Sequence, residues 1–205
     1  MIKALTLTFT LLTLAINTHP IKCLNIVIPG GTGPMGRLLS STMHQKKGHK
    51  ITILTRNSFL ASAPNRVSGA FGWLGRDFLD FNKSVQLRDW DGGDLLDIVG
   101  SDWMGWQDDS LVGADVVVNL VGGYTEQRIM ACERIARESL RLNPKVKHVI
   151  VSLMDEDLRM KLKIDRAKKC EDMLSENFSG VHCLRVQAND VQGACDQIVE
   201  VLDGL

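Results

Sequence analysis

The sequence predicts a single α/β domain built on a doubly wound parallel sheet, and three observations carry that expectation. From Leu24 onward, short apolar runs alternate with stretches of helical periodicity, the pattern of successive βαβ units. A glycine-rich turn separates the first apolar run from the first helical stretch. Further along, Asp115–Leu120 (DVVVNL) is apolar on both faces, as a central parallel strand covered by helices on both sides must be.

Leu24–Ile28 reads as strand one. Pro34–Lys47 reads as a helix with Met35, Leu38, Leu39 and Met43 on one face, Pro34 suiting its first turn, and Gly48-His49 ending it. Lys50–Thr55 (KITILT) is strand two. Phe59–Asn82, rich in glycine and aromatic residues, yields one helical piece, and Val85–Trp90 is strand three. Asp91–Gly113 reads as loop with short helical turns, its Trp103 and Trp106 packing on the surface of the sheet. After the central strand, Glu126–Leu142 is a helix with Thr125 as cap and Ile129, Cys132, Ala136 and Leu140 inward. Lys147–Leu153 is strand five, Leu162–Glu176 an amphipathic helix and Val181–Val186 strand six. A last helix spans Val191–Leu202, with Val191, Ala194, Cys195, Ile198 and Leu202 inward. Six strands in this alternation fit the order 3-2-1-4-5-6.

A chain of 205 residues suits one well-buried domain, and its 44% hydrophobic and 23% charged composition is average for a globular protein. Zero net charge gives no basis for a nucleic-acid or membrane-surface partner. Charge is nonetheless uneven: residues 1–76 hold nine basic and no acidic side chains, whereas the rest holds 15 basic and 24 acidic ones. A targeting peptide followed by a phosphate-binding region would both disfavour carboxylates.

Residues 1–23 are read as that peptide: Lys3 precedes an apolar run from Ala4 to Ile16, broken only by threonines and too short for a comfortable membrane span. The domain then occupies residues 24–205. An extra strand of alternating Leu and Thr is the alternative reading of the leader. Five scattered cysteines without a CxxC pair argue against a disulfide framework or zinc site and read as buried thiols of a reduced compartment. An organelle reached through the secretory route, such as a plastid, reconciles a leader with free thiols; secretion or the ER lumen is the alternative. The five histidines, read mostly as surface or strand-edge residues, show no metal-binding spacing; Asp155-Glu156-Asp157 resembles a metal-binding acidic run but reads instead as a solvated first helical turn.

The chemistry lies in Gly30-Gly31-Thr32-Gly33-Pro34-Met35-Gly36, which contains G-x-G-x-x-G as Gly31, Gly33 and Gly36. An early glycine permits the turn out of strand one, Gly33 lets a pyrophosphate approach the backbone, and Gly36 lets helix and strand lie close. The phosphates would sit on the open N–H groups of the helix N-terminus. An NAD site places Asp or Glu about 20 residues beyond the glycines, on the ribose hydroxyls. Here that position is Arg56, followed by Asn57. A guanidinium can bind a 2′-phosphate bidentately, which favours NADP(H) over NAD(H). Arg37, directly after the loop, is a candidate second contact.

Leu24–Arg56 resembles the opening of the atypical and extended short-chain dehydrogenase/reductases, including sugar-nucleotide epimerase-like members. Their G-G-T-G-x-x-G loop, Gly-His pair and Arg-ended second strand stand here as Gly30–Gly36, Gly48-His49 and Arg56. The similarity continues at Asn119-Leu120-Val121-Gly122-Gly123, like the family's turn beside the cofactor ribose, and at Val149–Ser152, where its fifth strand ends in serine. The resemblance implies a Rossmann fold, a dinucleotide held by Val121, Gly122 and Gly123 as well as the glycine loop, and an adenine contact from Asp91.

The departures bear on activity. The family's Tyr-x-x-x-Lys should follow strand five, but the chain's one tyrosine, Tyr124, follows strand four. Lys161, Lys163, Lys168 and Lys169 have no tyrosine partner, so Ser152 cannot complete the usual proton relay. Tyr124 could stack on a nicotinamide, donate a proton, or merely pack its loop. Two functions therefore stay open: an NADP-dependent oxidoreductase acting on a small-molecule substrate, with Tyr124 and Ser152 as catalytic candidates, or a non-enzymatic NADP-binding redox sensor or assembly factor.

Overall fold

The computed structural model describes residues 23–67, 72–92, 105–122, 127–154, 160–187 and 189–205. Residues 1–22 of the leader, Gly123, Tyr124, Thr125, Glu126, Trp103 and the Asp155-Glu156-Asp157 run lie outside the described residues. In chain order the elements are β1 (Asn25–Pro29), α1 (Pro34–Lys47), β2 (Lys50–Thr55), α2 (Ser58–Ser62), α3 (Arg76–Phe81) and β3 (Val85–Asp89). Then follow α4 (Trp106–Leu111), β4 (Val116–Asn119), α5 (Gln127–Leu142), β5 (Lys147–Met154), α6 (Met160–Asn177), β6 (Val181–Gln187) and α7 (Val191–Asp203).

The six strands form one parallel sheet in the order β3-β2-β1-β4-β5-β6, the doubly wound order expected. Side chains alternate across it. Ile26, Ile28, Val116 and Val118 join α1 and α7 in one apolar cluster. Val27, Val117 and Ile150 face the other way, onto α5 and α6. Each such buried Val or Ile contributes about 1.5–3 kcal/mol. The strand apolar on both faces is therefore covered on both faces.

Local signals set the ends. Pro34 opens α1, and Gly48 closes it at φ 63°, in the left-handed region, its N–H donating to the His44 carbonyl at 3.0 Å. Parallel pairing begins at Asn25, not Leu24, because the Leu24 N–H donates to His49 Nδ1 at 2.9 Å. Among the described residues around Phe59–Asn82 there are two short helices, α2 and α3, where one was expected.

Other expectations change with packing. Trp106 is only 1% exposed and meets Trp90 edge-on, with ring centroids 5.6 Å apart, so it belongs to the core. On α5 the buried stripe runs through Ala131, Cys132, Ile135, Ala136 and Ser139, which turns Leu140 outward to 40% exposure. His49 and His148 are buried, not peripheral, and two of the five cysteines, Cys23 and Cys183, are exposed. All five are free thiols.

A candidate nucleotide cleft at the carboxyl edge of the sheet

The glycine loop leaves β1 where the strand order reverses between β1 and β4, the position at which open α/β sheets receive ligands. Gly30 has φ 74°, and a Cβ there would stand 2.9 Å from the Val121 backbone, so only glycine admits the chain leaving β4. Gly36 lies directly on the Gly31 backbone, which seats α1 against the loop. Gly33 differs. It is the extended N-cap of α1, offers no side-chain cap, and a Cβ built on it meets no protein atom within 4 Å. The first helical turn carries no acidic residue, so the positive end of the helix dipole faces open space.

The opposite wall comes from β4. The Asn119 carboxamide accepts the Val121 N–H at 3.0 Å, and the Leu120 N–H donates to the Pro29 carbonyl at 3.0 Å. Together they direct Val121 and Gly122 across the loop. The resulting cleft, of about 220 Å³, brings together Gly30, Thr32, Arg56, Val121 and Gly122 from the residues singled out in the sequence. Arg56 is the one charged side chain among its described lining residues.

Other singled-out residues are placed differently. Pro34 and Met35 lie in the first turn of α1. Arg37 reaches away to the Leu74 carbonyl at 2.7 Å, its guanidinium 4.8 Å from the Phe78 ring centroid, and so pins the segment before α3. The Asn57 side chain caps α2 by accepting the Leu60 N–H at 2.8 Å. Asp91 turns inward, its carboxylate 3.4 Å from Arg134 Nε, while its neighbours Trp90 and Gly92 line the cleft. Ser152 is 1% exposed and its hydroxyl accepts from Arg128 Nη2 at 2.9 Å.

Sequence reasoning missed Leu54, Thr55, Gly72, Trp90, Gly92 and Leu120 as lining residues. Gly72 packs on the Thr32 side chain, a contact across 40 positions of sequence that no local pattern announces. Trp90 was readable only as the end of a strand.

The sheet order, the glycine turn and the cleft at the strand reversal define a Rossmann-type α/β fold. No family model matches the chain, and no curated protein matches its sequence. Solved structures do share the fold. A putative short-chain dehydrogenase/reductase from Corynebacterium glutamicum is similar at TM-score 0.55 and 14% identity, over 87% of this chain and 91% of that one. A Rossmann-fold NAD(P)-binding family protein from Shigella flexneri is similar at TM-score 0.53 and 14% identity, over 80% of this chain and 67% of that one. The Bordetella bronchiseptica enzyme WbmF, solved with NAD+ and UDP, is similar at TM-score 0.53 and 12% identity, over 82% of this chain but only 50% of the enzyme. The chain thus spans about half the length of that enzyme.

Proposed function

We propose that this chain binds a nicotinamide dinucleotide in the cleft, NADP(H) in preference to NAD(H). The observation that carries the reading is the pairing of an open, uncapped helix N-terminus at Gly33 with Arg56, beyond the end of β2, the one charged side chain among the described lining residues. The residues fit the group: the first N–H donors of α1 would take the pyrophosphate, and Arg56 a 2′-phosphate. When bound, the nicotinamide supplies or accepts a hydride. Fluorescence titration of the intact chain with NADPH and NADH tests the assignment. Equal dissociation constants would overturn it.

Whether a reaction follows is a second question. An oxidoreductase would need an acid other than the family tyrosine, with Tyr124 the one tyrosine in the chain. The Arg128–Ser152 hydrogen bond favours the alternative, a non-enzymatic NADP-binding sensor or assembly factor, because it buries the hydroxyl a relay would use. Incubating the holoprotein with NADPH and a panel of carbonyl compounds separates the two. Any substrate-dependent loss of NADPH fluorescence would restore the oxidoreductase reading. We further propose that residues 1–23 direct the chain to an organelle, a plastid reached through the secretory route being consistent with its free thiols. Among the described residues no helix is long and apolar enough to cross a membrane.

A further inference from the structure

The segment Gly72–Gly75, just before α3, joins the two sides of the cleft. On one side it rests on α2, the short helix that follows Arg56 and Asn57. The Leu74 and Gly75 N–H groups donate to the Ala61 carbonyl at 2.9 and 3.0 Å, and Trp73 Nε1 donates to the Ala63 carbonyl at 2.8 Å. On the other side it grips the start of α1 twice. Arg37 Nη1 donates to the Leu74 carbonyl at 2.7 Å, while the Arg37 backbone N–H closes the first helical turn on the Gly33 carbonyl at 2.9 Å. Gly72 lies against Thr32, and a Cβ added to it would overlap the Thr32 hydroxyl and Cβ. The Gly72 backbone lies outside the left-handed region, so glycine is set there by the space beside Thr32 rather than by backbone conformation. Leu74, 1% exposed, sinks into the same apolar cluster as Leu39 and Met43 of α1.

Given the dinucleotide reading of the cleft, on which this rests, we propose that Gly72–Gly75 is a fixed strap that holds the glycine loop in its binding geometry, with Gly72 and Arg37 as positioning residues. Thr32 is β-branched and has few χ1 choices, so a neighbour that fixes its side chain also fixes the backbone between Gly31 and Gly33. A loop fixed beforehand loses less conformational freedom when a pyrophosphate arrives. Arg37 spends Nη1 on the Leu74 carbonyl and sets its charge 4.8 Å from the Phe78 ring centroid. It therefore acts on the nucleotide through the strap and not by touching a phosphate. That separates it from Arg56. Arg56 discriminates at the 2′-phosphate, whereas the strap serves the pyrophosphate that NADPH and NADH share.

The test titrates the intact chain with NADPH and with NADH, and follows amide hydrogen exchange in the nucleotide-free chain. Arg37→Gln and Gly72→Ala should each weaken both nucleotides about tenfold or more, the effect of losing one hydrogen bond to a charged group, and leave the ratio of the two dissociation constants unchanged. Arg37→Lys, which keeps a charged donor, should retain most of the affinity. In a Thr32→Gly background, where hydroxyl and Cβ are both gone, Gly72→Ala should cost little further affinity. Without nucleotide, Arg37→Gln and Gly72→Ala should speed exchange in Gly30–Arg37 while exchange in β5 stays as it was. An unmodified chain that binds neither nucleotide overturns the cleft reading and the strap together. An unmodified chain that binds, with both variants binding as tightly, overturns the strap alone. So does an Arg37→Gln variant that loses NADPH but keeps NADH, because Arg37 would then touch the 2′-phosphate itself. Exchange in β5 that rises as much as in the loop also overturns it, being the mark of a general loss of stability.

Discussion

Asp91, just beyond β3, faces Arg134 on α5 with 3.4 Å between carboxylate and Nε, and the two side chains are 0% and 6% exposed. Arg134 in turn donates to Glu138 at 3.1 Å, and Glu138 also holds the half-exposed Arg141 at 2.8 Å. This buried chain of charges ties the rim of the cleft at Trp90 and Gly92 to helix α5. Removing one member strands the other charge in the interior. Arg134→Met should therefore destabilise the fold by about 3–5 kcal/mol in urea unfolding. A change below about 1 kcal/mol, the range of a solvated pair, would show that the network is not desolvated.

Two glycines of the same loop should respond oppositely to substitution. At Gly33 a side chain meets open space, so Gly33→Val is expected to keep a native far-ultraviolet spectrum and lose dinucleotide binding. At Gly36 a Cβ collides with the Gly31 backbone, so Gly36→Ala should cost about 1–3 kcal/mol or more of stability. A Gly33→Val protein that binds NADPH normally would reduce the loop to a structural turn.

Arg56→Asp should abolish or reverse the preference for NADPH over NADH, a change of about 1–3 kcal/mol for one charge-assisted contact. The two dissociation constants, measured at one salt concentration, check it. An unchanged ratio would remove Arg56 from the site.

His148 should make the fold acid-sensitive. It packs on Phe178 with ring centroids 4.2 Å apart, and burial lowers its pKa from 6.5 to about 4. The folded chain therefore keeps it neutral where the unfolded chain protonates it. Stability is complete above pH 6.5 and falls as the pH drops from there toward 4, by about 3 kcal/mol from this residue. His148→Gln should flatten that slope between pH 6.5 and 4. Urea midpoints that fall equally in both proteins would assign the acid sensitivity to other groups.

Deleting residues 2–22 should leave melting temperature and NADPH affinity almost unchanged while misdirecting the protein in its native cell. If the leader were a strand of the sheet, each buried Leu or Ile removed would cost about 1.5–3 kcal/mol. A truncated chain that melts many degrees lower would decide for the strand.

The part of the site that could be read in the sequence is the part made by neighbours in the chain. Gly30 to Gly36 act within one turn, and Arg56 sits at the cleft because β2 has a set length and direction. Asp91 shows where such reading stops. Its spacing after β3 matches an adenine contact, yet its carboxylate turns to Arg134, more than 40 residues away. Helical periodicity likewise put Leu140 inward, but the face of α5 was decided by which residues met β4, α4 and α6.

By itself the sequence determined the order, type and parallel pairing of the strands, because apolar period and turn chemistry are local and a right-handed βαβ crossover leaves few topologies open. It also determined the open helix N-terminus, since glycine spacing sets backbone geometry directly. Only the tertiary structure decided that Gly72 would close on Thr32, that Arg128 would bind Ser152, and that Asp91 would pair with Arg134. Those contacts join residues remote in sequence. Their free energies depend on orientation and on how far each pair is withdrawn from water, quantities set only once the helices have docked on the sheet.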